Sequence, residues 1–490
     1  MNSQGSAPPE KARFARRAKN RARAWEWTAK GLKPGVSVWR LEWIKAAVAL
    51  AEDRLDSLPP PSESRGHPVP RWRVALAMAV GCVMAGAYVL RQRGGARQGE
   101  LPPDATRVAA IHAEWSTRTR HLLTAIDNAD SPVYAVILLG RLQSPPEQTA
   151  ALWESKRPGS RAATLPLVLP MSPRACLAAL SDLPELLREG FASSSHMPLA
   201  LPFREQIAIS FRVVLGAVAA RWWKETGATE AEVLFAITGT ADTTLLENAI
   251  QQTGGHTVHA LHGQAMGPNF AGVSNLALFR SRHDAVAYSR LGCYGRCEVQ
   301  SVPQPRPMRG TGGLLLLSNL AHPMNPDFRR QPLRDELALL ACVGSAARRL
   351  GAVARPLLWK PHPVIAGLSE DMRATLRTAA LQEGFTELPP ESDLVSVAAD
   401  CRWILTSPST VALDLLEAGY LSVVLDPQGS VLDTALAGLP QSSVEPEALT
   451  TLLERLDACD AYTNAFSDAF AAVGPARAFD LVSIRFNSGE

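Results

Sequence analysis

Unbroken apolar runs separated by polar stretches with helical spacing recur from about residue 130 to residue 425. Val133-Tyr-Ala-Val-Ile-Leu-Leu139, entered from Pro132 and ended by Gly140, has the continuous apolar character of a strand covered on both faces. Leu165–Leu169 and Val233–Ile237 read the same way, the second after a long helical stretch over about 203–226. A helix over Thr244–Thr253, closed by Gly254 and Gly255, then leads to a strand over His256–Leu261. Strand, helix, strand with a short loop between is a parallel β-α-β unit.

The Pro- and Gly-rich segment Ser301–Gly313 interrupts this pattern, which then restarts. Strands are expected over Leu314–Leu317, Arg355–Trp359, Trp403–Leu405 and Leu421–Leu425. Helices are expected over Leu333–Leu350 and Val411–Ala418, and from Ser369, with Glu370 and Asp371 in its first turn, to Gly384. An N-cap serine, early acids and a terminal glycine suit both the unpaired helix ends and the helix dipole. The fold class is therefore α/β, with two tandem Rossmann-like parallel-sheet domains at 104–305 and 306–490 behind an extension over 1–103.

The extension has a different composition. Residues 1–73 hold fifteen Lys or Arg against seven Asp or Glu and five of the eleven tryptophans, so the formal charge of +3 is a basic block on an acidic remainder. A helix is expected over 38–58, and the Pro-rich stretch Pro59–Pro70 reads as a linker. Val74–Leu90 is seventeen residues without a charge, flanked by Arg71, Arg73, Arg91 and Arg93. At ~1.5 Å per residue it reaches ~25 Å, just short of a hydrocarbon core. It reads as a spanning helix, an interfacial or re-entrant one, or a buried Ala-rich core helix. Cations beside tryptophans and next to this segment favour lipid over nucleic acid as the partner, and a membrane-associated or single-pass protein on the cytoplasmic face of an inner membrane is expected. Seven scattered cysteines, with no C-x-x-C pair, suggest neither a disulfide framework nor a zinc site.

Candidate chemistry gathers at two strand ends. Leu357-Leu-Trp-Lys-Pro-His-Pro363 is an apolar run ending in a Pro-stiffened polar loop. Thr406-Ser-Pro-Ser-Thr410 is a hydroxyl-rich turn opening a helix. Both loops belong at the carboxyl edge of one sheet, where open α/β sheets bind ligands, and a phosphate suits a helix opening there.

Lys-Pro-His-Pro363, followed by Thr406–Thr410 and by Val411–Gly419, resembles the C-terminal nucleotide-binding half of GT-B glycosyltransferases of bacterial surface polysaccharide synthesis. The likeness is to capsular polysialyl- and Kdo-transferases and to the CDP-glycerol glycerophosphotransferases of teichoic-acid synthesis. In the other half, Thr257-Val-His-Ala-Leu-His-Gly263 resembles the strand ending in His-Gly in these families. The serine motif departs from the family pattern in carrying Pro408 between Ser407 and Ser409.

The resemblance implies a metal-independent transferase without a cofactor, moving a sugar from a nucleotide-activated donor, a CMP-sugar first, to a saccharide or lipid-linked saccharide acceptor of a capsule. Lys360, His362, Pro363, Ser407, Ser409, Thr410 and Asp414 would hold the donor nucleotide, with His362 assisting the departing phosphate. Glu417 rivals Asp414 for a ribose contact. Ser318 and His322, after the first strand of the second domain, and Gly263 would border the cleft. His262 is the expected acceptor base and Asp242 its alternative. Competing readings are a CDP-polyol phosphotransferase of the same fold, a sugar-nucleotide epimerase, and a non-catalytic binder of anionic lipid or nucleic acid.

Overall fold

The computed structural model describes residues 22–29, 38–54, 69–93, 100–111, 132–138, 146–156, 168–194, 201–235, 240–261, 271–319, 332–362, 368–389, 392–426 and 434–475, with short pieces at 19, 126–127, 158–160 and 365. Helices α1 (Val38–Arg54) and α2 (Arg71–Arg93) precede strands β1 (Arg107–Ile111) and β2 (Tyr134–Ile137). Three helices follow, α3 (Pro146–Lys156), α4 (Pro173–Ser193) and α5 (Phe203–Thr226), and then β3 (Glu232–Phe235), α6 (Ala241–Gln252), β4 (His256–Ala260), β5 (Leu276–Phe279), α7 (Arg282–Ser289) and β6 (Arg296–Val299). These six strands pair in parallel in the order β2-β1-β3-β4-β5-β6. Val168 bridges Val136 in parallel beyond β2, within the stretch where sequence places a further strand.

The second domain runs β7 (Leu314–Ser318), α8 (Pro332–Leu350), β8 (Leu357–Pro361), α9 (Glu370–Gln382), β9 (Thr386–Glu387), α10 (Leu394–Asp400), β10 (Trp403–Thr406), α11 (Val411–Glu417), β11 (Ser422–Leu425) and β12 (Gln441–Ser442), ending in α12 (Pro446–Asp457) and α13 (Cys459–Val473). Its parallel sheet has the order β12-β11-β10-β7-β8-β9. Counted from β7, that is the doubly wound order 3-2-1-4-5-6, which reverses between β7 and β10. The fold class expected from sequence, α/β with two tandem Rossmann-like parallel-sheet domains, is the one observed. All five residues of β7 are buried, so its leucines each contribute about 1.5–3 kcal/mol by leaving water.

The end of α13 returns to the first domain. Gly474 closes α13 in the left-handed region (φ 55), its carbonyl accepts the Arg282 N–H at 2.8 Å, and a Cβ there would meet the Arg282 side chain at 2.6 Å.

The N-terminal helices are part of the first domain. Trp39 and Trp43 of α1 are fully buried in its core, and Glu42 pairs with Arg212 of α5 at 2.7 Å. Along α2 one stripe, Val74, Met78, Ala85 and Val89, is buried in that core. Gly81 lies on the same stripe, where a Cβ would come within 2.8 Å of Ser210 on α5. The absent side chain is what lets the two helices close on each other. The charge-free segment is thus neither wholly buried nor free of the domain: about a third of it is buried.

Candidate functional site

At the reversal point of the second sheet, β7, β8 and β10 all end on one side, and the residues after them are tied together by hydrogen bonds. The Ser407 N–H donates to the Leu317 carbonyl at 2.9 Å, and the His362 N–H to the Ser318 carbonyl at 2.8 Å. Trp359, fully buried, donates its Nε1–H to Ser318 Oγ at 2.8 Å. Ser407 Oγ accepts from the Asn319 N–H at 2.7 Å and donates to Asn319 Oδ1 at 2.6 Å, while Asn319 Nδ2 donates to the Pro408 carbonyl at 2.9 Å. Three loops are therefore one rigid frame.

That frame borders a cavity of about 80 Å³ lined by Leu317, Asn319, Lys360, His362, Ser409 and Val411, among others. The volume holds a few waters or one phosphoryl group, and is well below the ~300 Å³ at which whole-nucleotide pockets begin. His362 is exposed and Ser409 half-exposed at its rim. The imidazole loop and the hydroxyl loop, forty-odd residues apart in sequence, share this one cavity.

Several expected donor contacts are placed differently. The Ser407 hydroxyl is fully buried and committed to Asn319, so it shapes the cavity instead of lining it. Ser318, expected at the border of the cleft, does line this cavity, and its buried hydroxyl accepts from Trp359. Lys360 lines the cavity, yet its ammonium donates to the carbonyls of Pro389 at 3.1 Å and Ser392 at 3.3 Å, fixing the loop between β9 and α10. Thr410 occupies the N-cap position of α11 without a side-chain capping bond, and Ser409 Oγ accepts weakly from the Val411 N–H at 3.4 Å.

Asp414 and Glu417 meet the first domain instead of a cavity occupant. Arg280, between β5 and α7 and only 2% exposed, reaches Asp414 Oδ1 at 2.5 Å and Glu417 Oε2 at 3.9 Å. A ribose contact through Asp414 would compete with this interdomain pair.

Asp242 lies in the first turn of α6, at the carboxyl edge of the first sheet. Its carboxylate is buried, with no hydrogen-bond partner on either oxygen among the described residues, and its Cα would lie 2.9 Å from a Cβ on Gly216 of α5. A base for an acceptor hydroxyl must be reachable, so an open role for Asp242 is not what this arrangement offers. His262, Gly263, His322 and Pro363 lie outside the described residues.

A second polar group sits behind Asp242, under α1. Glu247, fully buried, accepts from the Ser274 hydroxyl and from the Val273 N–H at 3.3 Å, and burial pushes its carboxyl up to about 7. Lys45 donates to the Ala271 carbonyl at 2.9 Å, and burial brings its ammonium down to about 8. Burial also pushes the neighbouring Cys293 thiol up to about 12, which leaves it protonated and inert at neutral pH. Among the described residues no three His, Cys, Asp or Glu side chains converge into a group able to hold a metal ion.

Sequence reasoning missed Asn319 and Trp359, the residues that lock the frame. Asn319 directly follows Ser318 at a strand end, which was the available signal. Trp359 sits in the apolar run itself and looks like core until its indole N–H is seen to need a partner.

No family model and no curated protein matches the chain. Solved structures similar to it include S. aureus MnaA in a co-structure with UDP, 10% identical over 76% of this chain and 93% of that one, with a TM-score of 0.42. Acinetobacter baumannii MurG is 10% identical over 74% and 94%, with a TM-score of 0.45. Anabaena Alr3699/HepE in complex with UDP is 10% identical over 77% and 97%, with a TM-score of 0.43. At these scores the likeness assigns no residue and no activity.

Proposed function

We propose that the chain is a glycosyltransferase that takes its nucleotide-activated donor at the reversal point of the second sheet and its acceptor against the first domain. One observation carries the reading: His362 and Ser409 line the same cavity, at the sheet edge where doubly wound domains bind nucleotides. In the step, the acceptor oxygen forms a bond to the anomeric carbon as the bond from that carbon to the donor phosphate oxygen breaks. The acceptor proton passes to a base on the first domain, for which His262 is the candidate. The departing phosphate takes a hydrogen bond or proton from His362 and a further hydrogen bond from Ser409. Asn319, Ser407 and Trp359 act by holding those two groups in place.

The motif around His362 supports a CMP-sugar donor and a surface-polysaccharide acceptor. The test is thermal stabilisation by nucleotides, because a ligand that binds the folded state raises Tm in proportion to its occupancy. CMP is expected to raise Tm more than UDP at equal concentration. UDP outperforming CMP would overturn the donor assignment while leaving the transferase reading intact. Neither nucleotide binding, together with undiminished sugar transfer by His362→Ala, would overturn the site.

A further inference from the structure

Helix α2 is apolar on every side, but the protein covers one side only. Opposite the stripe packed on α5, Trp72, Leu76, Val83 and Leu90 recur at helical spacing, 65%, 46%, 73% and 70% exposed, with Met84, 44% exposed, at the margin of that face. From Trp72 to Leu90 the stripe is ~27 Å long. A helix with apolar residues all round belongs in a core or against lipid, and here half the circumference has a core and half has none.

We propose that this bare face of α2 lies flat in the interface of an anionic bilayer, making the protein a peripheral, single-leaflet membrane protein. Three features select lipid as the occupant. Arg71 and Arg91, both exposed, stand at the two ends of the stripe, so a helix in the membrane plane sets both among headgroups of one leaflet. Trp72 adds an indole at the level where that ring partitions. A groove of about 840 Å³ at the same end, walled by Leu187 and Phe191 of α4 and edged by Arg71 and by Arg188, the latter paired with Glu185 at 3.0 Å, offers room for an acyl chain.

The packing also selects the orientation. The buried stripe of α2 is closed against α5, and α5 in turn carries the Arg212–Glu42 pair and packs on α6. Taking α2 across a bilayer would strip Val74, Gly81 and Val89 from that neighbour or drag charged elements into hydrocarbon. Lying on the surface costs neither. This inference stands apart from the transferase reading, since it uses none of the residues around His362.

The test uses the full chain and vesicles of equimolar phosphatidylcholine and phosphatidylglycerol. Wild type is expected to co-sediment, to bind pure phosphatidylcholine vesicles more weakly, to bind less as salt rises, and to be released by alkaline carbonate. Val83→Asp and Leu90→Asp each remove an exposed contact, and each should weaken vesicle partitioning roughly tenfold or more with circular dichroism unchanged. Val83→Asn and Leu90→Asn serve the same purpose should an aspartate disturb folding. Vesicle binding unaffected by both pairs of variants would overturn the proposal. Carbonate-resistant pelleting would show a spanning helix instead, and a dimer dissolved by Val83→Asp without vesicle binding would show that a second copy covers the face.

Discussion

Replacing Ser407 and Ser409 separately divides the frame of the cavity from its contents. Ser407→Ala deletes one hydrogen bond received from the Asn319 N–H and one given to Asn319 Oδ1, at 2.7 and 2.6 Å, in a site without water access to the serine. Two partners left short of a bond cost about 2 kcal/mol, which for a domain of this size corresponds to about 4–8 °C in Tm. Ser409→Ala removes a half-exposed hydroxyl whose one internal bond among the described residues is a 3.4 Å acceptance from Val411, so stability should stay within about 0.5 kcal/mol. Its loss should instead weaken the donor nucleotide by about 1.5 kcal/mol, roughly tenfold in Kd, the scale of a hydrogen bond to a charged phosphate. Thermal melts without ligand and nucleotide titrations by calorimetry measure the two quantities on the same samples. The reasoning fails if Ser407→Ala melts with wild type yet binds nucleotide tenfold more weakly, since its hydroxyl would then be a ligand contact and not a latch.

Three further outcomes follow from the geometry. His362→Ala, at an exposed loop position, should melt within about 0.5 kcal/mol of wild type and lose at least about a hundredfold in kcat/KM; a smaller loss removes it from the chemistry. Glu247 has its acidity raised by burial from the ordinary 4.5 to about 7, so the folded state holds the extra proton between those values. Its stabilising contribution is full below pH 4.5 and lost as pH rises through 7, a decline of about 3 kcal/mol at most. Glu247→Gln should flatten that part of a urea-stability profile, and an unchanged slope would refute the assignment. Arg280→Ala, Asp414→Ala and the double variant should show a coupling of about 1 kcal/mol in thermal unfolding, kept near surface-pair values because Asp414 is 54% exposed; additivity would mean the domains are not joined there.

The main elements were legible because their signals are local. Leu314–Leu317 and Trp403–Leu405 announce buried strands by composition alone, and the helix Phe203–Thr226 spans the stretch read as helical. Strand β1 was invisible: Arg107-Val-Ala-Ala-Ile111 is short, with two alanines in five residues, and only its neighbours β2 and β3 make it a strand. The same contrast governs the site. Histidine between prolines and a run of hydroxyls are conspicuous in sequence, so the loops carrying His362 and Ser409 could be placed at one sheet edge. Which hydroxyl faces the cavity was not legible, because Ser407 and Ser409 differ only in what lies opposite each, and Asn319 is 88 residues away from the serine it occupies. Asp414 shows the same limit across domains: nothing near it in the chain foretells Arg280. Burial on one side is equally non-local. The charge-free run Val74–Leu90 fits a spanning helix, an interfacial one and a core helix alike, and the glycine at 81 that seats it on α5 is what turns one side of it into core and leaves the other as surface.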